Sequence, residues 1–437
     1  MESYWIVVSA FAAILGLLAM RIPIGLALIA VSFTGIAIET NIRAAIGSIS
    51  RLPFEFATNW SFSAVPMFLL MGFVASETGL TNGLFRASRK LFSRVPGNLA
   101  CASVVASALF AAASGSSVAT ASAMSRIAIP EMISRGFAPS LATGSIAASG
   151  TLGSLIPPSI LMILFGVYAD ASIGALFLAG VLPGLLSVGI YLAMIIVRCT
   201  INPELAGGHR TDIESIDARR LLADIIPLPL LIAIVMGSIS FGFATPTEAG
   251  ALGAAGAILL AIVDGKFQLS KFYVALQQSA LTFASIFIIV VGGALLTRFV
   301  AVSGLSREIT EFFGGENLTP FQLVLFATVM FVVLGMFIDS IGLLLLTMPI
   351  IIPIANSMDM NVIWLGIILI KLLEIGLITP PVGLNTFVIQ SSLKGTVATS
   401  TIFKGVIWFI AMDVVTLIFL FIFPQISLWL PSALTGS

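Results

Sequence analysis

Apolar residues fall in long unbroken runs along this chain. Positions 5–20, 22–38, 228–243, 249–263, 283–296 and 406–423 are almost free of charge. Each run approaches the ~20 residues that carry a helix across a hydrocarbon core. The two-residue alternation of barrel strands is absent, so helices must satisfy the backbone inside a bilayer. The pattern predicts crossings near 5–20, 22–39, 62–80 and 173–197. The stretch 41–58 carries Arg43, Arg51 and Glu55 among apolar residues and is expected to lie along the interface. Segment 97–135 has basic residues near both ends and a small-residue middle, which suits a re-entrant hairpin. Segment 138–168 contains Pro157-Pro158 and reads as a broken helix. A second hairpin is expected at 319–357 and a second broken helix at 361–391.

The second set follows from an internal repeat. Gly153 to Pro158 and Gly376 to Pro381 both end in a Pro-Pro pair, 223 residues apart. The same shift maps Pro23 onto Pro246, Ser117 onto Ser340, and Ile129-Pro130 onto Ile352-Pro353. A shift of 226 maps Phe73-Val74-Ala75 onto Phe299-Val300-Ala301. The expected organisation is one repeat over 1–200, a connector at 201–226 and a second repeat over 227–437. Basic residues collect in cytoplasmic loops. Arg86, Arg89, Lys90 and Arg94 therefore place one loop inside. Their counterparts Arg307, Glu308, Glu311 and Glu316 are acid-rich and read as outside. Arg198, Arg210, Arg219 and Arg220 put the connector inside. The halves then run in opposite directions, with both termini outside. The expected fold is an all-α polytopic membrane protein of two inverted-topology repeats, an arrangement typical of secondary transporters.

Composition narrows the alternatives. The chain is 59% hydrophobic and 9% charged, against about 25% charged in soluble domains. Its formal net charge is zero, so nothing points to nucleic acid. One histidine, His209, and two scattered cysteines, Cys101 and Cys199, make a zinc, haem or disulfide framework improbable. The N-terminus lacks the basic region of a signal peptide, so the first apolar run is expected to remain as a helix. No Walker A, H-E-x-x-H or nucleophile-elbow motif is present, which argues against an ATPase or membrane enzyme. No filter motif argues for a channel.

Three features carry candidate chemistry. Proline frees the carbonyl four residues earlier, so the Pro-Pro pairs release those of Gly153, Ser154, Gly376 and Leu377. Transporters use such carbonyls to coordinate Na⁺; a plain kink healed by neighbours is the bland alternative. The tip Ala113-Ser114-Gly115-Ser116-Ser117-Val118-Ala119-Thr120 offers hydroxyl and carbonyl oxygens suited to a hard cation. Close helix packing through small residues would use the same composition. Under the repeat shift it pairs with Phe337-Ile338-Asp339-Ser340. Asp339, ionised between apolar runs, would cost roughly 2.5–3.5 kcal/mol, which a bound Na⁺ would offset and a structural proton would avoid. Arg298 follows the apolar run 283–297 and could clamp a carboxylate or snorkel to the interface. Thr245 to Glu248 is a polar helix start, with Glu248 a lesser site candidate. Lys371 and Glu374 share a helical face and could simply pair.

These residues resemble the large membrane subunit of tripartite ATP-independent periplasmic (TRAP) transporters. The matching stretches are Pro66 to Gly72, the Ala-Ser-Gly-Ser-Ser tip, Gly153 to Pro158, Thr245 to Glu248, and Ile378 to Asn385. The resemblance spans nearly the whole chain. It implies an elevator-type transporter in a bacterial inner membrane, with Na⁺ as coupling ion and no other cofactor. It also implies a small four-helix membrane subunit and a soluble periplasmic substrate-binding protein as partners. Under the resemblance the first apolar run would be the first large-subunit helix, so the unfused form is expected. Implied substrates are carboxylates, among them sialic acid, C4-dicarboxylates, keto acids and sugar acids. Ser114, Ser116, Ser117 and Gly153 would form one sodium site, and Asp339, Gly376 and Thr379 the other. Arg298, with Ser116 and Asn385, would contact substrate. A self-sufficient carboxylate carrier driven by Na⁺ or H⁺ is the nearest alternative.

Overall fold

A computed structural model describes residues 2–207, 225–304 and 319–435. His209 and the connector residues Arg210, Arg219 and Arg220 lie outside the described residues, as do Arg307, Glu308, Glu311 and Glu316. Nineteen α-helices account for nearly everything described. In order they are α1 (Glu2–Ala19), α2 (Ile24–Glu39), α3 (Ile42–Ala57), α4 (Ala64–Glu77), α5 (Asn82–Leu91), α6 (Asn98–Ser114) and α7 (Ser117–Ser134). Next come α8 (Pro139–Thr151), α9 (Ile160–Tyr168), α10 (Ile173–Ile201), α11 (Pro227–Ser240), α12 (Pro246–Val263) and α13 (Leu269–Ser303). The last six are α14 (Pro320–Gly335), α15 (Ser340–Ser357), α16 (Val362–Ile378), α17 (Leu384–Ser392), α18 (Thr399–Ile422) and α19 (Gln425–Thr435).

Among the described residues, six helical segments are long and apolar enough to cross a membrane, and the protein is a multi-pass membrane protein. Their lipid-length faces carry exposed apolar side chains, such as Leu252, Leu259 and Ile262 on α12. In water such a surface would drive aggregation; in hydrocarbon it is the solvated surface. The candidate span on α15 is the most enclosed, 67% of its window lying inside the protein. It is one arm of a helical pair with α14, so much of its surface meets neighbours.

Backbones approach closely where glycine removes the side chain. Helix α2 packs along α13, and α12 packs along α4. At the first crossing a Cβ on Gly292 would sit 2.8 Å from the Gly25 carbonyl oxygen. At the second, one on Gly253 would sit 2.6 Å from Met71 Sδ. Without a hydrophobic driving force between helices in lipid, such close contact supplies the packing energy. The tightest crossing joins α8 to α18, where a Cβ on Gly405 would overlap the Ser140 carbonyl oxygen. Gly405→Val is expected to destabilise the folded chain by about 1–3 kcal/mol through overpacking. Thermal melting in detergent, read by size-exclusion chromatography, checks this; an unchanged midpoint refutes it.

Local chemistry explains several helix starts. Asn41 caps α3 by accepting the Ala44 N–H at 2.9 Å. Thr245 and Glu248 form a capping box: Glu248 Oε2 accepts the Thr245 N–H at 2.8 Å, and Pro246 takes the first helical position. The polar start at Thr245 thus has a structural role, and Glu248 is engaged in it. Arg89 and Arg135 converge on Glu131 at 3.2 and 2.8 Å, fastening α5 to α7.

Candidate functional site

Helices α6 and α7 form a pair whose turn is Gly115-Ser116. Gly115 has φ +60°, the left-handed region that glycine adopts without a Cβ penalty, and its N–H caps the Ala111 carbonyl at 2.8 Å. Ser116 then opens α7 by accepting the Ala119 N–H at 3.3 Å. Ser114 Oγ lies 3.0 Å from Thr120 Oγ1, which donates to the Ser116 carbonyl at 2.9 Å. The small hydroxylated tip is therefore a closed hydrogen-bonded loop. The pair α14–α15 turns at 336–339. There Asp339 caps α15, its Oδ2 accepting the N–H groups of Ile341 and Gly342, both at 3.1 Å.

Each tip is held against a helix break. The first break separates α8 from α9. Ser117 Oγ and Ser154 Oγ are 2.9 Å apart, linking tip to break. A Cβ on Gly153 would press on Ala111 Cβ at 2.9 Å. The second break separates α16 from α17, and a Cβ on Gly376 would stand 2.8 Å from the Phe331 carbonyl oxygen. Both glycines thus let a break lie flat on a hairpin arm. Two of the released carbonyls are not bare. That of Ser154 accepts from Ser159 Oγ at 2.6 Å, and that of Gly376 from the Thr379 N–H at 3.2 Å. Each retains a second lone pair. Thr379 directs its own hydroxyl to the Ile375 carbonyl at 2.6 Å.

The two tips and two breaks meet around one cavity of about 190 Å³. Gly115 to Val118 line it from the first tip and Asp339 to Ile341 from the second. Ser154, Ile160 and Leu161 come from the first break, Leu377 and Leu384 from the second. Leu69 and Phe73 of α4 and Thr282 and Ile286 of α13 close the remaining wall. Asp339 is the only ionisable side chain among these lining residues. Two helix N-termini, at Ser117 and Ser340, also open here, and helix N-termini carry partial positive charge.

Ser116, Ser117 and Asp339 are brought together by this cavity, while Ser114, Gly153, Gly376 and Thr379 are not among its lining residues. Two expected substrate contacts stand apart. Asn385 is fully buried, one residue past the lining Leu384, and its Nδ2 donates to the Ala147 carbonyl of α8 at 3.3 Å. That bond joins the second break to α8; the Asn385 Oδ1 is buried without a hydrogen-bond partner among the described residues, and the residue is not among those lining the cavity. Arg298 is exposed on α13, about 18 Å along that helix from Ile286 at 1.5 Å per residue. Of the wall residues, Leu69 lies in the Pro66 to Gly72 stretch and Phe73 in the 226-residue match, but neither pattern marked them as lining a site, and Ile286 carried no signal; only packing selects them.

The sequence family described as "Tripartite ATP-independent periplasmic transporter, DctM component" matches residues 11–426. The chain belongs to this TRAP transporter family. It is similar to the C4-dicarboxylate TRAP transporter large permease protein DctM of Pseudomonas aeruginosa, at 32% identity over 89% of this chain and 90% of that protein. It is also similar to the sialic acid TRAP transporter large permease protein SiaM of Vibrio cholerae, at 30% identity over 97% of each. Among solved structures, the YdaH transporter of Alcanivorax borkumensis superposes with a TM-score of 0.58 at 13% identity, covering 91% of this chain and 89% of that one; at that identity the likeness speaks for the fold. This TRAP chain is thus a large membrane subunit, and its relatives are transporter permeases rather than enzymes.

Proposed function

We propose that this TRAP subunit takes up an organic acid across the bacterial inner membrane, driven by Na⁺, by an elevator movement. The carrying observation is the convergence of both tips and both breaks on one cavity whose only ionisable group is Asp339. Hydroxyl and carbonyl oxygens beside that carboxylate suit Na⁺. Sodium on each tip would neutralise Asp339 and, with the N-termini of α7 and α15, supply the positive field a substrate carboxylate needs. An anion arriving without Na⁺ would meet the uncompensated charge of Asp339 beside these N-termini, and this repulsion couples the two. The repeats would be inverted, with α6–α10 and α14–α18 forming the moving part and α1–α4 with α11–α13 the stationary frame. The reciprocal packing of α2 on α13 and of α12 on α4 supports that symmetry. A small membrane subunit and a periplasmic binding protein would complete the system, as in TRAP transporters generally. Sialic acid and C4-dicarboxylates are the substrates to test first, since relatives bear those names.

Arg298 enters this scheme through motion. It lies on the same helix as Thr282 and Ile286, which now wall the cavity. A moving part that slides about 18 Å along α13 would bring the site to Arg298 at the other end of its travel. Arg298→Ala is then expected to weaken carboxylate capture about tenfold, the value of one charge-assisted hydrogen bond, while Na⁺ binding is retained. Uptake with unchanged KM removes Arg298 from the site.

The defining experiment is uptake of labelled sialic acid and C4-dicarboxylates into proteoliposomes holding this chain and its small subunit. An inward Na⁺ gradient and the binding protein are each added or withheld. Uptake that needs both supports the tripartite reading. Uptake without the binding protein supports a self-sufficient carrier instead, and uptake indifferent to Na⁺ removes sodium coupling.

A further inference from the structure

Basic residues collect at one end of the molecule. Arg89 of α5 and Arg135, just past α7, share Glu131 there. The Ala138 N–H donates to the Leu205 carbonyl at 3.1 Å, so the start of α8 lies beside the end of α10. The start of α18 comes to the same end, because Gly405 packs on Ser140 in the first turn of α8. Arg198 in the last turn of α10 and Lys404 near the start of α18 therefore belong to this basic end. Lys and Arg favour the cytoplasmic side, so this end reads as the cytoplasmic one.

Helices α10 and α18 are fixed in register deeper in the protein. The Tyr191 hydroxyl of α10 donates to Asp413 Oδ1 of α18 at 2.5 Å, and the Tyr191 ring meets Phe409 edge-on at 5.1 Å. Two turns beyond Tyr191, the Arg198 guanidinium comes to lie 4.4 Å over the Trp408 ring. An arginine that merely snorkels extends its head into water. Here stacking on Trp408 holds it against the protein. Its Nη1 is shielded from solvent and has no hydrogen-bond partner among the described residues. An ionised N–H left unpaired in that setting is costly. No acid pairs with Arg198 or with the exposed Lys404 among the described residues. Lys404 stands one turn before Trp408, on the same side of α18.

From these cations an apolar stripe runs toward the membrane interior. Ile407, Val414 and Ile418 follow Lys404 at helical spacing and are exposed, as is Val197 beside Arg198. From Ile407 to Ile418 the helix rises about 17 Å, close to one leaflet of a hydrocarbon core ~30 Å thick. An occupant of this face must bring negative charge at the level of Arg198 and Lys404, and apolar length below it. We propose that the α10–α18 face binds an anionic phospholipid of the cytoplasmic leaflet. Its phosphate accepts from the Arg198 guanidinium and faces Lys404, and its acyl chains lie along Ile407, Val414 and Ile418. Trp408 braces the guanidinium at the depth where tryptophan sits in membrane proteins. Basic pockets between helices on the cytoplasmic side suit such headgroups.

Native mass spectrometry of the purified full chain, titrated in detergent with phosphatidylglycerol or phosphatidylcholine, tests the site. Phosphatidylglycerol should be retained in preference to phosphatidylcholine. Arg198→Gln and Lys404→Gln should each weaken that retention about fivefold, the effect of one cation at a membrane surface. Should Arg198→Gln fail to fold, Lys404→Gln carries the test, since its side chain is exposed. Equal retention of the two lipids would mean an apolar surface without headgroup recognition and overturns the proposal. So does phosphatidylglycerol retention that is unchanged in the folded variants. Glycerol 3-phosphate that displaces the lipid at equal concentration would make a soluble phosphate the ligand, and the lipid assignment falls. The measurement involves no transport, so it is independent of whether uptake proves to be sodium-driven.

Discussion

Asp339→Asn is expected to leave the chain folded and to weaken sodium-driven uptake by about 10- to 100-fold at limiting Na⁺. Asparagine keeps a side-chain oxygen that can accept the Ile341 and Gly342 N–H groups, so the cap of α15 survives. The negative charge is lost, and with it an interaction of about 1.5–3 kcal/mol between an ionised group and its partner. Asp339→Ala removes the cap as well, costing about a further 1 kcal/mol of stability. The pair of variants separates capping from ion binding. Initial uptake rates measured against Na⁺ concentration decide the matter. An unchanged sodium dependence in a folded Asp339→Asn chain would show that this aspartate only caps its helix.

The largest loss of stability is expected from Lys371→Met, about 3–5 kcal/mol, because it strips a buried anion of its counter-ion. Lys371 is the shared donor for Asp413 at 2.6 Å and Glu374 at 2.8 Å, and none of the three side chains reaches solvent. Methionine fills similar volume, so the effect reports charge rather than packing. Lys371→Met combined with Asp413→Asn should recover part of the lost stability, since one of the two carboxylates left without a counter-ion is removed. Melting temperatures of the single and double variants in one detergent give the comparison. Additive losses would mean that the two residues act separately and that the pair holds no shared charge.

Both predictions concern residues whose legibility in the sequence differed. Asp339 stood out as an acid between apolar runs and as the repeat partner of the serine-rich tip. Lys371 and Glu374 stood out as a pair on one helical face. Asp413 and Tyr191 gave no comparable signal, because a lone acid or tyrosine in a membrane helix can face lipid headgroups, water or a partner equally well. Arg298 illustrates the reverse. It was conspicuous in the chain, yet it sits on an exposed face of α13, apart from the cavity.

Apolar run length and the Pro-Pro pairs determined by themselves that this chain is helical, membrane-bound and broken at two points. Those properties depend on local backbone chemistry: unpaired amides are intolerable in hydrocarbon, and proline cannot continue a helix ladder. The matching of Ser117 to Ser340 and Gly153 to Gly376 likewise needed only comparison of the two halves. Tertiary structure decided what those points do together. It brought both tips and both breaks to one cavity, closed it with Leu69, Phe73 and Ile286, and turned Asn385 toward α8. It also gathered Lys371, Glu374, Asp413 and Tyr191 from three helices, Tyr191 lying in the other half of the chain. Such placements depend on which helix faces which, and in a chain this uniformly apolar no pattern of side chains marks the inward face.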